Sequence, residues 1–290
     1  MKEISGVLTA MATPFDESGA VDHDAARRLA AHLLEHGSHG LVIAGSTGEC
    51  PTLTDEEEIE LLRAVRAEVG DETLIVCGTG TNDTRHSCEL TKMAAQAGAD
   101  ASLVVVPYYN KPNRAGIKAH FETVAAAVPD LPMVVYNIPA RVVINAEPEL
   151  LAELGQIDNV VAVKQANDAE LGPIEGLTVL AGNDNTFFRV LEFGGGGGIC
   201  VASHIVGDQM REMWEAAQAG DIERARQIDA EITPVYEATS VTTNPIPLKA
   251  ALEMLGLCDD RLRLPLVSAD AEQRAAIKAG LDAAGVAVAG

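Results

Sequence analysis

Lys164 stands near the C-terminal end of an apolar, β-branched run, Val160-Val161-Ala162-Val163-Lys164-Gln165-Ala166, that reads as a strand buried on both faces. Lysine is almost never fully buried without a partner or a purpose, and of the seven lysines in the chain this is the one set in so apolar a strand-like run. Removal from water disfavours the ammonium form, and a neutral amine attacks a carbonyl carbon. A strand-end lysine can equally snorkel its ammonium to solvent. The run alone therefore leaves a Schiff-base nucleophile and a structural lysine side by side. Other groups with chemistry to offer follow similar apolar runs. Gly45-Ser46-Thr47-Gly48-Glu49 sets two hydroxyls between glycines, a turn whose backbone amides suit a carboxylate or phosphate, although small residues also make an ordinary turn. Pro107-Tyr108-Tyr109-Asn110-Lys111-Pro112 holds two of only four tyrosines, fit for chemistry or for interface packing. Tyr136-Asn137-Ile138-Pro139-Ala140-Arg141 places a phenol five residues ahead of a guanidinium that can grip a carboxylate bidentately.

The elements that must position these groups come in a steady rhythm. Strand-like runs at 6–12, 40–44, 73–77, 101–106, 132–136, 160–164, 178–181 and 198–202 alternate with amphipathic stretches such as 25–35, 55–69 and 82–97. Thr54 and Glu57 form a capping-box pattern at the start of the second stretch, and Ala97-Gly98 stops the third. Eight strands alternating with eight helices predict an α/β protein, a (β/α)8 TIM barrel. A doubly wound open sheet is the alternative, disfavoured because no G-x-G-x-x-G turn follows the first strand. Three more helical stretches, 221–240, 247–255 and 271–284, predict a C-terminal helical appendage, so that 1–220 forms the barrel and 221–290 packs on it. The glycine run at 194–198 precedes the eighth strand and reads as a tight structural turn rather than a phosphate cradle.

Barrel active sites lie at the C-terminal strand ends. There Lys164, Tyr136, Ser46, Thr47 and Arg141 converge on one mouth, and the convergence favours the Schiff-base lysine. An iminium on Lys164 would draw electrons from the adjacent carbon, and a phenol would shuttle the protons that condensation and carbon–carbon chemistry require. The hydroxyl turn would hold the carboxylate of a 2-oxo acid and Arg141 a second acid group. No H-x-H or carboxylate cluster has metal-ligand spacing, so neither metal nor organic cofactor is expected. The 21 basic against 43 acidic residues leave a net charge of −22, which repels nucleic acid and anionic membranes. No apolar run approaches the roughly 20 residues needed to span a bilayer. The first six residues lack a secretory pattern, and the five scattered cysteines suggest reduced thiols, pointing to a cytoplasmic protein.

These motifs together resemble the dihydrodipicolinate synthase family of pyruvate-dependent class I aldolases. The likeness runs from residue 6 to about 266 and includes G-T-G at 78–80, A-G-N-D at 181–184, G-I at 198–199 and N-P-I-P-L-K at 244–249. It implies that pyruvate, as an enamine on Lys164, adds to L-aspartate-4-semialdehyde and yields 4-hydroxy-tetrahydrodipicolinate in lysine and diaminopimelate biosynthesis. By motif position it implies Tyr136 as proton donor and acceptor, Thr47 as the pyruvate-carboxylate site, and a proton relay of Ser46, Tyr136 and Tyr109. It also implies a homotetramer of tight dimers in which Tyr109 crosses to a neighbouring site, Arg141 holding the semialdehyde carboxylate, and Ile199 near pyruvate through its backbone. Two departures stand out. Ser46 replaces the usual threonine, keeping the hydroxyl but losing β-branching; serine is also seen in the related N-acetylneuraminate lyases. At the family's lysine-effector pocket, near Cys50, Pro51, Glu58, Asn82, His86 and Tyr108, Glu58 stands where histidine is common and His86 where glutamate is common. Weak or absent inhibition by lysine is expected. The alternatives are a sister aldolase acting on a sugar-derived 2-oxo acid and a non-catalytic keto-acid-binding barrel.

Overall fold

The computed structural model describes residues 2–288. The eight apolar runs form β1 (Gly6–Ala10), β2 (Gly40–Ile43), β3 (Leu74–Gly78), β4 (Ala101–Val105), β5 (Met133–Asn137), β6 (Val160–Gln165), β7 (Thr178–Ala181) and β8 (Gly197–Cys200). All pair in parallel and in chain order, and β1 pairs with β8 to close the barrel. Almost every strand residue is buried, because one set of side chains fills the lumen and the other meets the helices outside. This two-sided burial produces continuous apolar runs instead of alternation.

Outside the barrel lie α1 (His23–Glu35), α2 (Asp55–Val69), α3 (Thr84–Gln96), α4 (Arg114–Ala127), α5 (Pro139–Val142), α6 (Pro148–Leu154), α7 (Phe187–Glu192) and α8 (Ser203–Gln218). The capping box at α2 forms as expected: the Glu57 amide donates to Thr54 Oγ1 at 3.2 Å and the Thr54 amide to Glu57 Oε2 at 2.9 Å. One expectation fails. Between β6 and β7 the chain makes only a single 3-10 turn, Asp168–Glu170, in place of a helix. Gly172-Pro173 and Gly176 interrupt that connection, and both residue types disfavour a helix interior. The β5 connection carries two short helices instead, α5 and α6.

Beyond the barrel, α9 (Ile222–Ala238) packs against α8 and α11 (Ala271–Ala283), and α11 also meets α10 (Ile246–Met254). Ala250, Ala251, Ala269, Ile277 and Leu281 bury a small core of their own there. The glycine run is structural: Gly197 sits at φ +125°, and a Cβ there would lie 2.2 Å from the Gly6 carbonyl oxygen. Gly194, Gly195 and Gly196, together with Ser5, Val161 and Thr178, border a 640 Å³ cavity at the N-terminal ends of the strands, the face opposite Lys164. Backbone strain gathers at the other face. Ala44, Glu49, Tyr109, Lys111 and Val143 are non-glycine residues at positive φ, and all fall in the connections after β2, β4 and β5. Such residues cost on the order of 1–3 kcal/mol each and collect at functional sites.

Candidate active site

β5 and β6 run side by side with Tyr136 opposite Lys164 and Asn137 opposite Gln165. Successive side chains on a strand point to opposite faces, so the first pair faces the lumen and the second the outer layer. The outer pair is fastened. Asn137 Nδ2 donates to Gln165 Oε1 at 3.0 Å and to Asn145 Oδ1 at 2.9 Å, while Asn137 Oδ1 accepts from the Ala146 amide at 3.1 Å. Two strand tips tied in this way fix the height of the phenol against the amine. Lys164 is 6% exposed, and its Nζ lies 4.3 Å from the centroid of the Tyr136 ring.

The turn after β2 brings the hydroxyls. Its close approach to β3 depends on Gly78, where a Cβ would lie 2.1 Å from the Ala44 carbonyl oxygen. Thr13 Oγ1 donates to the Gly48 carbonyl at 2.7 Å and steadies the turn from beneath. Thr47 is buried, and its Oγ1 accepts from Asn244 Nδ2 at 2.9 Å. Arg141, on α5, donates from Nη2 to the Asn244 backbone carbonyl at 3.1 Å. Ser46, Thr47, Tyr136, Arg141 and Lys164 all line one 520 Å³ pocket at the C-terminal mouth of the barrel. Five of the seven sequence-predicted residues are thus brought together.

The other two sit elsewhere. Tyr109 is 86% exposed, at φ 71°, and outside the pocket of its own chain. Ile199 is buried in the core on β8, and its side chain does not reach the pocket wall.

Sequence reasoning missed part of the wall. Asp184, in the turn after β7, accepts from the amides of Val201 at 2.8 Å and Ala202 at 3.0 Å. Burial raises its pKa, opposed by those two amides and by the charge of Lys164. Asn244 borders the pocket with Oδ1 buried and unpaired, an acceptor left open. The A-G-N-D and N-P-I-P-L-K motifs were the available signals for both residues. Asp229 and Tyr236, from α9, complete the wall but look like ordinary positions of an amphipathic helix.

At the positions of the family's effector pocket, His86 Nε2 lies 2.9 Å from both carboxylate oxygens of Asp55. Glu58 is 5% exposed with Oε2 unpaired, and burial pushes its pKa up to about 9, helped by the nearby charges of Asp55 and Glu57.

A buried amine against a phenol, with hydroxyls on one side and a guanidinium on another, can form and resolve an imine on a small keto acid. The 4-hydroxy-tetrahydrodipicolinate synthase of Synechococcus elongatus is 46% identical over 287 residues, covering 97% of this chain and 96% of that one. The crystal structure of the dihydrodipicolinate synthase of Cyanidioschyzon merolae with lysine bound superposes with a TM-score of 0.92 at 40% identity, over 98% of this chain and 99% of that one. That of the chloride-inhibited Acinetobacter baumannii enzyme complexed with pyruvate gives a TM-score of 0.94 at 34% identity, over 98% and 100%. The model of the dihydrodipicolinate synthetase family matches residues 3–284, and the chain belongs to that family.

Proposed function

We propose that the chain catalyses the 4-hydroxy-tetrahydrodipicolinate synthase reaction, the condensation of pyruvate with L-aspartate-4-semialdehyde. The observation that carries this reading is Lys164, buried in the pocket beside the Tyr136 ring and sharing that pocket with Ser46, Thr47 and Arg141. The neutral amine attacks C2 of pyruvate, and loss of water gives an iminium. Removal of a C3 proton gives the enamine, whose C3 bonds to the aldehyde carbon of the second substrate while its oxygen takes up a proton. The amine of the semialdehyde then attacks the iminium carbon, closes the six-membered ring and releases Lys164. Tyr136 and Ser46 carry protons in these steps, Thr47 and its backbone amide hold the pyruvate carboxylate, and Arg141 holds the carboxylate of the semialdehyde. Binding of the two acids at opposite sides of the amine turns a bimolecular encounter into a local one.

The assembly we propose is a tetramer of tight dimers, with Tyr109 completing the relay in a neighbouring subunit. Its 86% exposure on a strained backbone supports this role. No helix among the described residues is long and apolar enough to cross a membrane, and we read the site of action as the cytoplasm. Borohydride reduction in the presence of pyruvate, followed by peptide mass analysis, tests the chemistry. A pyruvyl adduct on Lys164 is expected, and its absence would overturn the proposal. Product formation from pyruvate and aspartate-semialdehyde, set against cleavage of N-acetylneuraminate, tests the second substrate.

A further inference from the structure

The turn that carries Thr47 ends in a charge sealed from water. Glu49, held at φ 57°, meets Lys249 of α10, which is 0% exposed, with Nζ 2.6 Å from Oε1. At that distance the ammonium and the carboxylate form a short, charge-assisted contact. Nζ also donates to the Arg261 carbonyl at 2.6 Å and lies 4.2 Å over the Phe15 ring. The second carboxylate oxygen, Oε2, accepts from the Arg263 amide at 3.0 Å. Five residues before Lys249, Asn244 Nδ2 bonds Thr47 Oγ1. The segment 244–249 therefore grips the turn 45–49 at two points, one on each side of Gly48.

A buried ion pair adds little net stability, because desolvation offsets most of the Coulomb attraction; matched apolar replacements are often neutral or better. It does constrain geometry, since either charge is costly once it loses the other. We infer that Glu49 and Lys249 form a positioning pair for the carboxylate-binding turn, holding Glu49 in its left-handed conformation and thereby the Thr47 hydroxyl and amide at the place where pyruvate binds. This inference rests on the pyruvate reading above. Neither residue lines the pocket, so neither touches substrate. A grip on the carboxylate is the same in ground and transition state, and its loss raises KM while leaving kcat almost unchanged. The effect falls chiefly on the substrate held by Thr47 and its amide, since Ser46 lies one residue farther from the pair.

Lys249→Met alone strands a buried carboxylate and is expected to unfold the chain. The double variant E49Q/K249M removes both charges at nearly constant volume and is the main test; Glu49→Gln alone keeps the shape of the turn residue but leaves the buried Lys249 ammonium unmatched. Each is compared with the wild type by thermal melting and by steady-state kinetics in both substrates. For each variant that melts cooperatively, the expected result is a pyruvate KM raised roughly tenfold, short of the hundredfold that an ångström of misplacement can cost. The KM for aspartate-semialdehyde and kcat are expected to stay within about twofold. A pyruvate KM that stays within twofold in the folded variants overturns the inference, as does a parallel change in kcat and both KM values. Failure of the wild type to form the borohydride-trapped pyruvyl adduct overturns the underlying reading instead.

Discussion

Glu58→Gln should stabilise the protein in proportion to pH. The Glu58 carboxyl is buried in α2 with one oxygen unpaired, and its pKa is pushed up from 4.5 to about 9 by burial, with Asp55 and Glu57 adding repulsion. Between those two values the folded chain holds a proton that the unfolded chain has lost. Stability is therefore full below pH 4.5 and falls as pH rises toward about 9. The slope is about 1.36 kcal/mol per pH unit, so about 3 kcal/mol is lost between pH 5 and pH 7.5. Glutamine keeps the size of the side chain and has no such proton to lose. Any fixed cost of burying its amide is the same at both pH values and cancels in the comparison. At 2–4 °C per kcal/mol for a large domain, the difference in Tm between variant and wild type should widen by roughly 6–12 °C from pH 5 to pH 7.5. Thermal melting followed by circular dichroism at the two pH values measures this. A difference that does not change with pH would refute the claim that Glu58 is protonated in the native protein.

The same neutral Glu58 bears on regulation. It offers no negative charge to an ammonium, and His86 is occupied by Asp55. Lysine should therefore inhibit weakly or not at all, and half-inhibition by submillimolar lysine in a steady-state assay would refute this. Tyr136→Phe removes the phenol proposed as a proton carrier and should lower kcat by roughly 10²–10⁴-fold; a kcat within threefold of wild type would remove Tyr136 from the mechanism. Tyr109→Phe should lower kcat while gel filtration still shows the wild-type assembly, and unchanged kinetics would confine Tyr109 to packing.

The barrel was legible because parallel strands covered on both faces leave continuous β-branched runs, and all eight observed strands overlap the apolar runs. The connection from β6 to β7 was misread. A rhythm of units supplied a helix there that Gly172-Pro173 and Gly176 do not allow. The pocket was legible where chemistry sits on strand tips, as with Tyr136 and Lys164, and in the loops directly after them. It was not legible where the wall comes from α9, because a distant helix that closes the mouth leaves no local pattern, and Asn244 was marked by its motif but not by any chemistry at its position. Tyr109 shows a related limit: its motif marked it as special, yet in this chain it lies exposed and outside the pocket.

Lysine burial gives the sharpest case. The sequence singled out Lys164 for its apolar run, yet the most deeply buried lysine is Lys249, at 0% exposure against 6% for Lys164. Burial alone would have chosen the wrong amine. What separates them is company. Lys249 is enclosed by a carboxylate at 2.6 Å and a carbonyl at 2.6 Å, so its charge is matched and its lone pair is unavailable. The Lys164 Nζ lies over a phenol ring and opens onto a 520 Å³ pocket, and no carboxylate lies within 4.0 Å of it among the ion pairs of the described residues. A nucleophile needs an approach path and a proton acceptor as much as it needs desolvation. On the proposed reading, one buried lysine fixes the turn that binds an acid, and the other is left free to react with what that turn holds.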